Sequence, residues 1–238
     1  MNFRLFFGLT CLLVGSGLAA AQEPPASPTQ AELERAAELN RQGVAAFKEA
    51  HGNQKKLKKA AELLEEGVAL GGPTVYASSL TLAHVREGLD EPTAALALVR
   101  RLLEVLPPTH AFAKEARVLL CQIRLRHPEP EAAKAAGDRP PFKPSEDDGV
   151  VKPVRIAGLD PHYSPEMRMK GQQGQVIFEA VIDREGCVTG IETLAAANRA
   201  IERAMKDAVR TWTFLPATLE GKPVAVYYHV SSNFSLSP

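Results

Sequence analysis

Patterned chemistry is what this sequence lacks most plainly. Its six histidines, His51, His84, His110, His127, His162 and His229, are scattered. None forms an H-E-x-x-H run or a close His/Cys pair, so no metal site is expected. There is no G-x-S-x-G, which removes the esterase elbow. Gly171-Gln172-Gln173-Gly174 is a lone G-x-x-G with no Lys-Ser/Thr after it, and reads as a turn rather than a phosphate loop. Asp183 and Glu185 share one short segment ending in Gly186, where paired carboxylates usually solvate and cap a turn. Net charge is missing too: 28 Lys+Arg balance 28 Asp+Glu, so nothing argues for nucleic acid or for a strongly acidic partner. The one basic run, Lys55–Lys59, lies within a helical pattern and reads as a solvated face. These absences point to a protein that binds rather than transforms. No enzymatic activity, metal or small-molecule cofactor is expected; an unrecognised hydrolase is the remaining enzymatic alternative.

A long hydrophobic run is also absent. Arg4 precedes an apolar stretch, Leu5–Leu18, and Ala19-Ala20-Ala21 supplies an A-x-A cleavage site. The stretch falls short of the about 20 residues that span a bilayer. Residues 1–21 are therefore expected to be a signal peptide, with a periplasmic mature chain beginning at Gln22. The alternative is an uncleaved segment anchoring the chain in the inner membrane. Cys11 is preceded by Gly8-Leu9-Thr10, a poor fit to a lipoprotein signal. Of the three cysteines, Cys121 and Cys187 would remain. An oxidising compartment permits a disulfide between them, but spacing cannot place one, and two unrelated buried thiols is the simpler expectation.

Residues 22–30 are rich in Pro, Ser and Thr and are expected to be disordered. Residues 31–127 turn helical. Leu33, Ala36, Ala37, Asn40, Val44 and Phe47 recur at spacings of three and four. Ala60-Ala61, Leu63-Leu64 and Pro73 recur as Ala95-Leu96, Leu98-Val99 and Pro108, each offset by 35 residues. That period and the closing prolines resemble tetratricopeptide repeats, although the Trp-x-x-Leu-Gly signature is missing. The expectation is two helical hairpins and a half, with first helices over Glu32–Ala50, Val75–Arg86 and Thr109–Arg126. Such arrays bind proteins on a concave face, here offering Asn40, Arg41, Lys48, Ser79, His84, Lys114, Arg117 and Arg124. Prolines then interrupt residues 128–152, which read as a linker that lets the two halves move independently.

Residues 153–238 alternate differently. Gln175–Ile182 reads as a strand with Val176, Phe178, Ala180 and Ile182 on one face. Asp183–Gly186 is a turn, and Cys187–Leu194 a second strand. Asn198–Trp212 is helical, with Ile201, Ala204, Met205, Ala208, Val209 and Trp212 as its apolar stripe. Val224–Phe234 is a long third strand. The ordered elements Tyr163-x-Pro165, Gly171-x-x-Gly174-x-Val176, Ile182-Asp183-x-x-Gly186-x-Val188, Trp212-x-Phe214-x-Pro216-Ala217 and Gly221-x-Pro223-Val224 resemble the C-terminal domain of TonB-family energy transducers. The chain departs from that family at Ser164, where Pro usually follows the Tyr, and at Ala195–Asn198, where Ser-Ser-Gly is usual. It also lacks the family's His-bearing membrane helix and long Lys/Glu/Pro-rich spacer.

The expected fold class is therefore α+β: an all-α tetratricopeptide-like repeat domain, then a small domain with a three-stranded antiparallel sheet packed on a helix. The resemblance implies a periplasmic protein that docks outer-membrane receptors or other envelope proteins, with the inner-membrane proton-channel complex as a further partner. A non-energised envelope scaffold is the alternative. It also implies the site: an edge formed by the last strand, Val224, Ala225, Val226, Tyr227, Tyr228, His229 and Val230, to which a partner segment adds as a strand.

Overall fold

In a computed structural model of the chain, residues 28–128, 141–143 and 149–235 are described. The expected signal peptide and the greater part of the proline-rich linker lie outside them. Five helices come first: α1 (Gln30–Lys48), α2 (Gln54–Leu70), α3 (Val75–Gly88), α4 (Pro92–Val105) and α5 (Ala111–Arg126). Their starts are dictated locally. Thr29 caps α1 in a reciprocal capping box with Glu32, Asn53 accepts from the first amides of α2, and Pro92 opens α4; each arrangement satisfies or avoids an orphan N–H. Each helix packs on the next, and α1 also meets α3 and α3 meets α5. Close approach of α1 and α2 needs Gly43, since a Cβ there would lie 2.6 Å from Leu64. In the basic run only Leu57 is buried and the lysines face solvent, as expected.

The second half is α+β. Short strands β1 (Val150–Val151) and β2 (Val154–Ala157) precede a one-turn helix, α6 (Pro165–Met169). Then come β3 (Gly174–Ile182), β4 (Val188–Ala196), α7 (Arg199–Val209), β5 (Thr213–Leu215), β6 (Ala217–Leu219), β7 (Lys222–Val224) and β8 (Val226–Phe234). The main sheet has order β4-β3-β8, all antiparallel. Strict alternation in β3 puts Val176, Phe178, Ala180 and Ile182 inside, at most 1% exposed. They meet Ile201, Met205 and Val209 of α7 in one core with Trp212, Phe214, Val226, Val230 and Phe234. Two minor sheets, β2-β5 and β1-β6-β7, flank it; their two- to four-residue strands are too short to show a period in the sequence. Two boundaries shift. Helix α7 stops at Val209 rather than Trp212. Val224 belongs to β7, paired with Ala217, so the long strand begins at Val226.

Trp212 closes this core. Its Nε1 donates to the Leu159 carbonyl at 2.7 Å, and the Arg155 guanidinium lies 4.5 Å over its ring. Trp212→Ala is expected to cost about 3–5 kcal/mol, read as a lower unfolding midpoint of the full chain. A midpoint that barely moves would contradict the helix-on-sheet packing.

Candidate functional site

The expected binding edge can be built residue by residue. Strand β8 pairs with β3 in unbroken register from Gly174↔Phe234 to Ile182↔Val226. Val226, Tyr228 and Val230 face the core side, and Tyr228 meets Phe214 edge-on at 5.2 Å. Tyr227 and His229 face the other way, His229 reaching Glu179 at 3.1 Å. The structure thus brings Val226, Tyr227, Tyr228, His229 and Val230 onto one strand, while Ala225 links it to β7 and Val224 sits in the neighbouring small sheet.

The backbone has its own alternation. The Tyr227 amide donates away from β3, to the Phe142 carbonyl at 2.8 Å. In an antiparallel ladder outward and inward pairs alternate, so the N–H and C=O of His229, Ser231 and Asn233 also point outward. Tyr228, Val230 and Ser232 turn inward to β3. Among the described residues no strand pairs with the outward side of β8 beyond Tyr227. Phe142 carries no periodic signal along the chain, yet its N–H donates to the Ala225 carbonyl at 2.9 Å and its ring packs against the core.

The turn that follows Ile182, beside the start of β8, is occupied. At the β3–β4 turn Asp183 is 0% exposed. Its Oδ1 accepts from the amides of Glu185 at 2.9 Å and Cys187 at 3.0 Å, and its Oδ2 accepts from Arg124 of α5 at 2.7 Å. Arg124 also reaches Glu185 at 2.8 Å. Glu185 in turn takes Arg100 of α4 at 2.8 Å, and its carbonyl accepts from Arg117 at 2.6 Å. Burial pulls the Arg117 guanidinium below its ordinary value, opposed by the charges of Glu185 and Asp183. Beside them Cys121 of α5 and Cys187 form a disulfide, and Cys187 is embedded in the core of α3–α5. Gly186 is required here: its φ is +87°, and a Cβ would lie 2.0 Å from the Phe214 carbonyl oxygen.

Three expectations are corrected by this junction. The halves are not independently moving modules, because a covalent bond and a buried ion cluster join them. The two thiols are not unrelated. Arg117 and Arg124, expected to line a groove for a foreign peptide, are instead consumed by the chain's own turn. The other helical residues do not converge with them: Ser79 lines a separate groove of about 820 Å³, with Tyr76, Arg86 and Arg101 on α3 and α4. Among the described residues no three His, Cys, Asp or Glu side chains are grouped to hold a metal, and no helix is long and apolar enough to cross a membrane.

Comparison with known proteins decides what the second half is. Residues 160–236 match the family model for the Gram-negative bacterial TonB protein C-terminal. This segment is a TonB C-terminal domain. Protein TonB of two strains of Xanthomonas campestris pv. campestris is 36% identical over 78 residues, covering 32% of this chain and 35% of each relative. Protein TonB of Vibrio cholerae serotype O1 is 30% identical over 89 residues, covering 37% and 36%. The chain thus spans about a third of the length of these curated relatives. A solution NMR structure of the Pseudomonas aeruginosa TonB C-terminal domain aligns at 26% identity, over 39% of this chain and 92% of that one, with a TM-score of 0.32. The TonB C-terminal match runs two residues past β8 and leaves the five helices outside it.

The amide alternation in β8 separates two neighbouring serines. Ser232 faces β3 opposite Val176, so Ser232→Pro removes a ladder donor and is expected to lower stability by about 3 kcal/mol. Ser231→Pro removes only an outward N–H, a position where edge strands tolerate proline, and its midpoint should shift by less than about 1 kcal/mol. Denaturant unfolding of both full-length variants checks this; equal losses would place the β8 register wrongly.

Proposed function

We propose that this chain is a TonB-like envelope adaptor that captures an extended segment of a partner, of the outer-membrane receptor type, along the outward edge of β8. The observation that carries this reading is the row of outward amides and carbonyls at His229, Ser231 and Asn233. Such a row is a template for strand addition: backbone bonds supply affinity, and alternate side chains supply selectivity. The role is binding rather than catalysis. Energy transduction by the whole protein would further require attachment to the energised inner membrane and its proton-channel complex.

The helices over residues 31–127 are read as tetratricopeptide-like: α1–α2 and α3–α4 as two hairpins, α5 as a half, with residues 128–152 connecting them to the TonB C-terminal domain. Their basic face on α4 and α5 holds the β3–β4 turn, so in this reading the module braces the domain while β8 stays accessible. The groove lined by Tyr76, Arg86 and Arg101 favours a second reading, a non-energised envelope scaffold with a protein on each half. In both, the protein works in the periplasm, either released after residue 21 or held by an uncleaved N-terminal segment.

A photo-crosslinking residue at Ser231 tests the first reading in intact cells of the native host. Adducts with the N-terminal segments of outer-membrane receptors, lost when Ser232→Pro is added, are the expected result. Adducts confined to soluble periplasmic proteins would favour the scaffold. Absence of any Ser231 adduct under conditions where a residue at Arg101 crosslinks would overturn capture by β8.

A further inference from the structure

The outward edge of β8 is filled at one position by the chain itself. Phe142 bridges Val226 in parallel sense: its N–H donates to the Ala225 carbonyl, and its carbonyl accepts from the Tyr227 amide. Its side chain is partly buried against the core that contains Val226, Phe214 and Trp212. Main-chain pairing and an apolar anchor therefore coincide at one residue.

The local sequence limits how far this self-pairing runs. It reads Pro140-Pro141-Phe142-Lys143-Pro144. Proline favours an extended conformation in the residue before it, which suits strand-like backbone at Lys143. Proline also has no N–H. In a parallel ladder the next donor after Phe142 toward β8 is residue 144, whose partner is the Tyr227 carbonyl. Pro144 cannot supply it. Among the described residues of this segment one bridge forms, at Phe142, and a proline two residues on has no N–H to extend such a ladder.

We infer that Phe142 is a built-in placeholder in an anchor position of the partner edge, so that a segment pairing along all of β8 carries its own large apolar side chain there and displaces Phe142. The consequence for partners rests on the strand-capture reading above; the occupied position does not. The structure thereby assigns a partner class: an extended segment whose apolar, preferably aromatic, residue is followed two residues later by one with a free N–H, which continues the ladder at Tyr227.

The test uses the full oxidised chain, amide hydrogen exchange by NMR, and two synthetic hexapeptides, RPPFKP, copied from residues 139–144, and RPPAKP. In Phe142→Ala the Tyr227 amide is expected to exchange at least tenfold faster than in the wild type, with amides of β3 and α7 unchanged. Phe142→Leu, which keeps an apolar anchor, should retain most of the protection. RPPFKP should slow Tyr227 exchange again in Phe142→Ala, and RPPAKP should not. Equal Tyr227 exchange in wild type and Phe142→Ala, or equal binding of RPPFKP to both, would overturn the placeholder. The Ser231 crosslink reads receptor capture separately, so its failure would leave the Tyr227 result standing.

Discussion

A buried carboxylate organises this molecule. Asp183 has no exposure at all, and an unmatched buried charge would cost several kcal/mol. Two turn amides and Arg124 meet it. The amides come from the chain's immediate continuation; the guanidinium has to come from the helical half. The turn in its native form therefore needs α5 alongside. Removing one member of such a pair typically costs 3–5 kcal/mol, because the other is left buried and uncompensated. Gly186, bonded through its carbonyl to the Phe214 amide, carries the same constraint into β5, and Cys187 carries it into the helical core.

The disulfide acts on the same point by a different route. It links positions 66 residues apart, and closing a loop of that length removes unfolded-state entropy worth on the order of 4 kcal/mol. Ion pairs and cystine thus reinforce one junction at the turn end of the β3–β4 hairpin. In the sheet order β4-β3-β8 the edge proposed for partner capture lies on the strand that this hairpin turn does not include. The helices take the turn, and among the described residues no strand takes the outward side of β8 beyond Tyr227.

Much of the scaffold was legible because its signals are local. Alternation marked β3 and the faces of β8, period 3.6 marked α1, α2 and α7, and the ordered Gly, Trp and Pro elements marked the TonB C-terminal domain. The junction was not legible, because every residue in it has an ordinary local reading. Asp183 and Glu185 look like turn carboxylates, Arg117 and Arg124 like polar groups on a first helix, Cys121 and Cys187 like two small apolar residues. Only the tertiary structure sets them together. The last strand was legible as a strand, but its backbone directions were not: a sequence shows which side chains share a face, while the outward amides of His229 and Ser231 follow from the register with β3. Phe142 sat among prolines, where no period exists to reveal it.

The central claim is that the two halves form one body with the β8 edge facing outward. It is tested most directly by the distance distribution between spin labels introduced as non-natural residues at Lys58 in α2 and Glu192 in β4, both exposed, in the full oxidised chain. A single narrow peak is the predicted result, since the Arg124–Asp183 pair and the cystine leave no hinge between them. A broad or multi-peaked distribution would contradict the account.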